Sequence, residues 1–595
     1  MLRCVGTIPA RCRGSVLNGT SGISRTMQSR SLMNTAGISS FGSAGVRKIH
    51  AAVEPQEDPA TFQGLSKQSP SNGLQTYITQ LSNGVRVATQ ESLGHFVSAG
   101  IYVDSGSKYE SLENAGASHL LDRMAFKSTE NLGTPELIKE LESLGGNVMA
   151  HSSREGIIYQ AAVFRHDLAK MMKIYGQMVR RPLFTESELE ETKESTRYEL
   201  REITNKMDMI MSEVVHSVAF QADTVANETV PLVAPASEIF PIRTNTLGNP
   251  LIVDLPALEA MSSETMKKFH NTWYTPDRIV VAGVGMDHAR LVELAEQEFG
   301  NMPLATPEIV ASQRQRTLVP KYTGGLRVWD TSCLPPSPNP DDTPLTHVHM
   351  AFESMSLTDP DIYALSVLTS LMGGGGSFSA GGPGKGMYTR LYTQVLNRCG
   401  WVDSCSMMNY TYADTGLLSI QAAVIPDRET HRLIIPVLAD QLVNMTKKIQ
   451  DTELSRAKNQ LKSNLLMSLE SKMVELEDIG RQALAHSRRL SSVEMCRRVD
   501  MVTGADLNRV ARRIIFGEDI PSPLDFGDPL AQHWKRSGNG DPTILVYGPL
   551  VGSDDPLCAL PDLVKTYGLG RTAAKSFNEA SILSGNKRNW FNFSR

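Results

Sequence analysis

The sequence has 595 residues, of which 41% are hydrophobic and 21% are charged, with a formal net charge of −5. This is the composition of a globular chain long enough for more than one domain, and no apolar run reaches the roughly eighteen residues that a membrane-spanning helix needs. The seven cysteines include no Cys-x-x-Cys pair, which excludes a zinc knuckle, argues against a disulfide framework and fits a reducing compartment.

The first fifty residues have a composition of their own. They hold seven scattered basic residues among Ser, Gly and apolar residues, and the first acidic residue of the chain is Glu54. Mitochondrial transit peptides are Arg-rich, Ser-rich and poor in acids, whereas basic arms that bind nucleic acid usually concentrate their charge in blocks. We therefore predict a transit peptide over 1–50. Its removal would leave 52 basic and 64 acidic residues, a net charge of −12, which disfavours nucleic acid and favours basic partners.

A connector rich in Pro, Ser and Gln over 51–75 leads into a predicted domain over 76–300. Alternating apolar residues predict strands over 85–103, followed by a helix that carries the letters HLLDRMAF from His119. A second helix is predicted from Thr134, with Pro135 inside its start, to a glycine pair that ends it. After a strand over 156–164, one long amphipathic helix is predicted from Thr185 through Val214.

The same succession of patterns returns in the second half of the chain. GLLSIQAAVI, from Gly416, repeats GIIYQAAVF, from Gly156, with the shared letters QAAV at an offset of 261 residues, and two later matches both have an offset of 265. A constant offset indicates duplication. The predicted fold class is α+β, with two homologous domains, each a mixed β-sheet packed with helices. We expect a linker over 301–324, a second domain over 325–570 and a tail over 571–595.

The letters HLLDR, from His119 to Arg123, resemble a metal-binding motif with two changes. In His-x-x-Glu-His, positions i and i+4 present two imidazoles to one zinc ion, and the Glu acts as general base on a zinc-bound water. Here Arg123 offers donors and no lone pair, and Asp122 is one methylene shorter than Glu. An ordinary polar helix face with an Asp-Arg ion pair would explain these five residues by themselves. We predict no catalytic residue and no metal ligand here.

Glu199 makes that ordinary explanation incomplete. It lies 76 residues after Arg123, on the predicted long helix where a third zinc ligand would stand. The set His119, Asp122, Arg123 and Glu199 is therefore interpreted as a vestigial zinc site in a decayed relative of a peptidase. We hypothesise that Glu199 pairs with Arg123.

A glycine-rich stretch, from Gly373 to Gly386, follows a predicted helix that ends near Met372. Eight glycines in fourteen residues predict a mobile loop with exposed backbone groups. The stretch lacks the spacing of a phosphate-binding loop, and a long loop inside a domain is usually functional rather than a linker. The candidate substrate-binding residues are Gly373, Gly374, Gly375, Gly376, Ser377, Phe378, Ser379, Gly381, Gly382, Pro383, Gly384, Lys385 and Gly386.

Two weaker features bear on metal or thiol chemistry. His347 and His349 are two apart on a predicted strand and share a side, but no third ligand is near in the sequence, so packing or surface roles are favoured. Cys399 and Cys405 flank a predicted turn without an adjacent base and are interpreted as ordinary thiols.

These segments together resemble the pitrilysin/insulinase family of inverted-motif zinc peptidases, and within it the non-catalytic alpha-type subunits. The resemblance covers about residues 75–550. It is carried by the helix around Glu199, the glycine-rich stretch through TRLYTQVLN, and the segments ASHLLDRMAFKSTE, TLGNPL and FHNTWYTPDRIVVAGVG. One departure is a long connection over 221–243, interpreted as a surface insertion of open role.

The resemblance implies a heterodimer in which a catalytic beta subunit holds the zinc, while this chain has no cofactor and binds mitochondrial presequence peptides through the glycine-rich stretch. It implies a location in the mitochondrial matrix, free or peripheral on the inner membrane. An alternative function is a core subunit of ubiquinol-cytochrome c reductase, alone or beside processing. A third, an autonomous peptidase with unusual ligands, would require this chain by itself to bind zinc and cleave a presequence.

Overall fold

The computed structural model describes residues 75–204, 207–221, 233–234, 246–332, 344–377, 386–529, 531–538, 540–551, 557 and 566–571. The predicted transit peptide and all but the last residue of the predicted connector lie outside these residues. So do most of the insertion over 221–243 and all of the predicted tail except Arg571. The described residues from Gln75 onward belong to one compact unit, and none of their helices is long and apolar enough to cross a membrane.

The first half is built on a six-stranded mixed sheet, in the order β1-β2-β7-β3-β5-β4. Only β2 and β7 run parallel, and β7 is buried along its whole length. The strands are β1 (Thr76–Gln80), β2 (Arg86–Gln90), β3 (Phe96–Val103), β4 (Asn147–Ser152), β5 (Ile157–Phe164) and β7 (Ile279–Val284), and β6 (Val233–Ala234) joins the other sheet.

The helices of the first half begin and end where local chemistry dictates. Proline lies in the first turn of α2, and Gly145, in a left-handed conformation, ends it. The helices are α1 (Ala117–Arg123), α2 (Thr134–Leu144), α3 (Leu168–Arg180), α4 (Glu186–Thr204), α5 (Met207–Ala219), α6 (Leu255–Ala260), α7 (Ser263–Trp273), α8 (His288–Phe299) and α9 (Pro307–Arg316).

The second half repeats the architecture on a seven-stranded mixed sheet, in the order β10-β11-β12-β9-β13-β8-β6. The strands are β8 (Gly325–Asp330), β9 (Thr346–Ser354), β10 (Gly374–Gly376), β11 (Val402–Thr411), β12 (Gly416–Val424) and β13 (Thr543–Gly548). The helices are α10 (Ile362–Met372), α11 (Arg428–Met445), α12 (Asp451–Leu469), α13 (Lys472–His486), α14 (Ser492–Met501) and α15 (Gly504–Ile515). The order β8-β13-β9-β12-β11 reproduces β2-β7-β3-β5-β4, and the predicted α+β fold with two homologous sheets is confirmed.

Each sheet is covered on one face by helices of its own half and on the other by a helix of the opposite half. Leu476, Ile479 and Ala483 of α13 pack on Tyr102 and Val280 of the first sheet. Reciprocally, α5 packs its buried face, which includes Val214 and Val218, on Trp329, Ala351 and Leu545 of the second sheet. Burying one aliphatic side chain stabilises a fold by about 1.5–3 kcal/mol, so this exchange of helices ties the two halves together.

One sequence prediction differs from the structure. The helix that carries HLLDR ends at Arg123, and Phe126 beyond it has a positive φ of 62°. The long helix predicted from Thr185 through Val214 corresponds to α4 and α5 in the described residues, and 205–206 lie outside them. The predicted linker contains α9 and several buried residues, among them Gln313 and Tyr322. The predicted domain bounds stay predictions.

Candidate functional site

The helix α1 begins at a buried carboxylate. Gly116, with φ 83°, precedes the helix, and its N–H donates to Glu110 Oε2 at 2.6 Å. The N–H of Ser118 donates to Glu110 Oε1 at 2.8 Å. Negative charge is favourable at a helix N-terminus, where N–H groups have no partner within the helix. Glu110 therefore fixes the helix that carries the candidate site, a role that the sequence reading missed.

His119 is buried at the start of this site. Its Nδ1 accepts the backbone N–H of Val253 at 3.4 Å, and its Nε2 lies 3.8 Å from Glu199 Oε2. With Nδ1 accepting, a neutral ring carries its proton on Nε2, the atom that faces the carboxylate. In this tautomer Nε2 faces Glu199 as a donor and has no lone pair for a metal.

Arg123 and Glu199 form the ion pair that the sequence reading hypothesised. Arg123 Nε donates to Glu199 Oε2 at 2.8 Å, and a second N–H of the guanidinium donates to Oε1. The pair is bidentate, which is the strongest geometry available to Arg and a carboxylate. The hydrogen bonds with Glu199 raise the pKa of Arg123. Burial alone would raise the pKa of Glu199, but hydrogen bonds from His119 and Arg123 and the Arg123 charge outweigh it and lower this pKa to about 2.

Asp122 lies beside this pair but faces the sheet. Its Oδ2 accepts from the backbone N–H of Ser152 at 3.0 Å and from the Ser152 hydroxyl at 3.2 Å. Its other oxygen is 3.7 Å from the Arg123 guanidinium. The carboxylate that would act as general base in an intact motif therefore accepts hydrogen bonds from the last residue of β4.

The donor set does not fit zinc. A guanidinium holds the place of the second imidazole, and it occupies both oxygens of Glu199, which would be the third ligand. Zinc sites need deprotonated N, O or S donors with free lone pairs. The described residues also contain no group of three or more His, Cys, Asp or Glu side chains placed to hold a metal.

The described part of the glycine-rich stretch begins with a short strand. Gly374, Gly375 and Gly376 form β10, antiparallel to β11 opposite Ser406, Cys405 and Ser404. The backbone pairing with β11 compensates for the entropy that glycine loses on ordering. Gly373, Ser377 and Gly386 are also described. Phe378, Ser379, Gly381, Gly382, Pro383, Gly384 and Lys385 lie outside the described residues, and their substrate-binding role stays a prediction.

His349 and Cys405 lie in the second sheet, and Cys399 lies in the turn before β11. His349 is buried on β9, and burial is the main cause that lowers its pKa to about 3. Cys405 is buried on β11, and burial raises the pKa of its thiol to about 12. Burial also raises the pKa of Cys399. Both thiols are thus held in the protonated form, which is the unreactive one.

Two residues after the glycine-rich stretch were missed by the sequence reading. The Tyr392 hydroxyl donates to the carbonyl of Gly376 at 2.9 Å. Arg390 donates through Nε and a terminal nitrogen to both oxygens of Glu453, at 2.6 and 2.9 Å. No spacing rule in the sequence points to either contact, because both join segments that are far apart in the chain.

Two family models match the chain. One, described as Insulinase (Peptidase family M16), matches residues 86–231, and one described as Peptidase M16 inactive domain matches residues 260–461. The matched ranges include α1 and α4 in the first case and the glycine-rich stretch in the second.

Curated relatives cover most of the chain. It is 38% identical over 504 residues to the mitochondrial-processing peptidase subunit alpha of Neurospora crassa, which is 74% of this chain and 83% of that protein. It is 36% identical over 505 residues to the probable mitochondrial-processing peptidase subunit alpha of Schizosaccharomyces pombe, covering 84% and 91%. The human mitochondrial-processing peptidase subunit alpha is 34% identical over 476 residues, covering 79% and 84%.

Proposed function

We propose that this chain, which belongs to the insulinase family of peptidases (family M16), is the non-catalytic, substrate-recognising alpha subunit of a mitochondrial processing peptidase. In this function it binds the presequences of imported proteins for cleavage by a zinc-bearing beta subunit. The bidentate ion pair between Arg123 and Glu199 is the observation that supports a non-catalytic role. The names of the relatives support the processing part.

The proposal assigns no cofactor to this chain. Zinc, bound to the partner beta subunit, would supply the activated water that hydrolyses the peptide bond. In this chain Arg123 neutralises Glu199, and Asp122 caps the end of β4 instead of facing a water. These residues stabilise the first half of the fold and perform no proton transfer.

The charge balance supports a basic peptide as substrate. Residues after the first fifty carry a net charge of −12, and a net negative field attracts a cationic peptide over about 8–10 Å at physiological salt. The glycine-rich stretch, from Gly373 to Gly386, is the proposed binding element. Recognition would therefore combine long-range attraction with contacts at this stretch.

The proposed partners and location follow from the same function. A catalytic beta subunit would form a heterodimer with this chain, and the complex would work in the mitochondrial matrix. A role as core subunit of ubiquinol-cytochrome c reductase stays the alternative that the resemblance implies. The described residues add no observation in its favour.

Reconstitution of presequence cleavage tests the proposal. This chain and a beta-type subunit are mixed with a fluorescent presequence peptide, beside each subunit alone and beside a version of this chain without residues 373–384. We expect cleavage only from the mixture of intact subunits, and weaker peptide capture from the mixture that contains the shortened chain. Cleavage by the beta subunit at the same rate without this chain, or unchanged capture by the shortened one, would contradict the proposal.

A further inference from the structure

The first end of the glycine-rich stretch has a backbone that only glycine adopts easily. Gly373 follows α10 with φ 59° and ψ −128°, a combination that is costly for residues with a Cβ. A Cβ built on Gly373 would lie 2.5 Å from the Cβ of Thr389. Glycine is therefore required at this position by the contact with Thr389 as well as by the backbone.

The next two glycines are also fixed by their neighbours. Gly374 has φ 109°, and a Cβ there would lie 2.2 Å from the carbonyl oxygen of Cys405 on β11. A Cβ on Gly375 would lie 3.3 Å from the ring of Tyr392, whereas one on Gly376 would meet no described atom within 4 Å. The glycines of β10 thus differ in how strongly their surroundings demand the absence of a side chain.

Tyr392 contacts β10 from the other end of the stretch. Its hydroxyl donates to the carbonyl of Gly376 at 2.9 Å, and the residue is 5% exposed. It opens a π-helical turn, Tyr392–Leu396, in which the N–H of Asn397 donates to the carbonyl of Tyr392 at 2.9 Å. Such wide turns are rare in proteins and are frequent at functional sites.

The second end of the stretch is anchored to the core of its half. The N–H and the hydroxyl of Thr389 both donate to the carbonyl of Gly386, at 3.0 and 2.7 Å. Arg390 pairs with Glu453 of α12 and also donates to the carbonyl of Asn444 on α11 at 3.1 Å. Both ends are therefore joined to the same layer of helices.

We infer that Thr389 and Tyr392 close the two ends of the glycine-rich stretch into a fixed neck, and that Tyr392 is a positioning residue for presequence binding. The neck comprises Gly373, Gly374, Gly375, Gly376, Thr389 and Tyr392. This inference rests on the proposed function and adds a mechanism to it. Holding both ends in place lowers the entropy lost when the stretch engages a peptide, because less of the chain is ordered at that moment.

The test uses the heterodimer with the beta-type subunit and a fluorescent presequence peptide. Tyr392→Phe keeps the ring and removes the hydroxyl, so we expect the Kd and KM for the peptide to rise about two- to tenfold with kcat unchanged, the range of one hydrogen bond. Gly374→Ala should raise both constants more, and Gly376→Ala less than Gly374→Ala. The controls are Tyr77→Phe, on β1, and Gly400→Ala, whose added Cβ meets no described atom within 4 Å.

Thermal unfolding of each variant separates misfolding from loss of positioning. If Gly374→Ala does not fold, Tyr392→Phe decides the question. If the Tyr392→Phe heterodimer has the Kd and KM of the wild type, the inferred role of the neck is wrong. A fall in kcat without a change in KM, or equal losses from Gly374→Ala and Gly376→Ala, would show the same.

The version without residues 373–384 distinguishes a failure of the proposed function from a failure of the neck alone. If that deletion leaves capture and cleavage unchanged, the proposed function of the stretch fails, whatever the single variants do. If the deletion abolishes capture while Tyr392→Phe and Gly374→Ala bind like the wild type, only the neck fails.

Discussion

The two halves of the chain place different chemistry on the same framework. In the first half, α1 presents His119 and Arg123 to Glu199 of α4, and β4 is the last strand of its sheet. In the second half, α10 is almost wholly buried and apolar, and the chain continues from it into β10, which covers the edge of β11. The strand β11 is the counterpart of β4. The comparison shows that one duplicated framework carries different side chains and different added segments in its two halves.

Restoring the metal ligands in the first half should give the largest effect, a gain of zinc binding. The double change Arg123→His and Asp122→Glu removes the guanidinium and places two imidazoles and Glu199 around one position. We expect about one zinc ion per chain with a Kd in about the micromolar range, equal to about 8 kcal/mol of binding free energy. Metal content after dialysis and calorimetric titration would measure it.

Asp122→Glu alone is the matched control, since Arg123 remains and zinc should not bind. A double variant that still ignores zinc would show that the surroundings of α1 no longer resemble a metal site, and the interpretation as a decayed peptidase site would be wrong.

A buried ion pair connects the first sheet to the helix exchanged between the halves. Arg154, on the loop between β4 and β5, donates to Glu213 of α5 at 2.7 Å, and both side chains are less than 10% exposed. Arg154→Ala leaves a buried carboxylate without its cation, so we expect the free energy of unfolding to fall by about 3–5 kcal/mol.

Urea unfolding of Lys127→Ala provides the control for that change. Lys127 pairs with Glu191 at 3.0 Å on the surface, where Glu191 is 72% exposed, and we expect a loss of at most about 1 kcal/mol. Equal losses from the two variants would mean that Arg154 does not hold the halves together.

The exchanged helix α13 depends on one close contact with the first sheet. A Cβ added to Gly480 would lie 2.2 Å from the ring of Tyr102, a buried residue of β3. We expect Gly480→Ala to lower the free energy of unfolding by about 1–3 kcal/mol, because the ring or the helix must shift.

Gly504→Ala, in the first turn of α15, is the control because its Cβ would meet its nearest described neighbour at 3.9 Å. It should unfold at the wild-type urea concentration or slightly above it. A Gly480→Ala chain as stable as the Gly504→Ala chain would contradict the tight packing of α13.

The smallest predicted effect is the acid sensitivity of the first site. Glu199 has a pKa of about 2 in the fold against an ordinary value of 4.5, so its stabilising contribution is complete above about pH 4.5. The contribution is lost as the pH falls from there to about 2, because the unfolded chain takes up the proton first. Unfolding free energies should therefore fall more steeply with acid in the wild type than in Glu199→Gln.

Glu470→Gln, an exposed change at the end of α12, serves as the reference for that comparison. Identical pH profiles of the wild type and Glu199→Gln between pH 4.5 and 2 would show that the ion pair with Arg123 contributes no measurable stability.

Patterns within short segments were readable from the sequence. Local patterns predicted β5 and α2, the recurrence of segments predicted the duplicated sheets, and the spacing along α1 placed His119 and Arg123 on one face. The pair between Arg123 and Glu199 followed from charge and position alone. These features depend on neighbours that the sequence itself displays.

Features that depend on distant partners were not readable. An apolar helix face predicts burial but does not say which sheet it covers, so the exchange of α5 and α13 was missed. Glycine content suggested mobility, but the ordering of β10 depends on β11 and on Tyr392. The carboxylate of Glu110 carries no recognisable signal because it caps a helix that begins several residues later.

The proposed function requires that this chain binds presequences and contributes no zinc chemistry. Its most direct test is the equilibrium binding of a fluorescent presequence peptide to the isolated chain, measured by anisotropy with and without a metal chelator. We expect the same Kd in both conditions and an intact peptide after prolonged incubation. Loss of binding in the chelator, or cleavage of the peptide by the isolated chain when zinc is supplied, would contradict it.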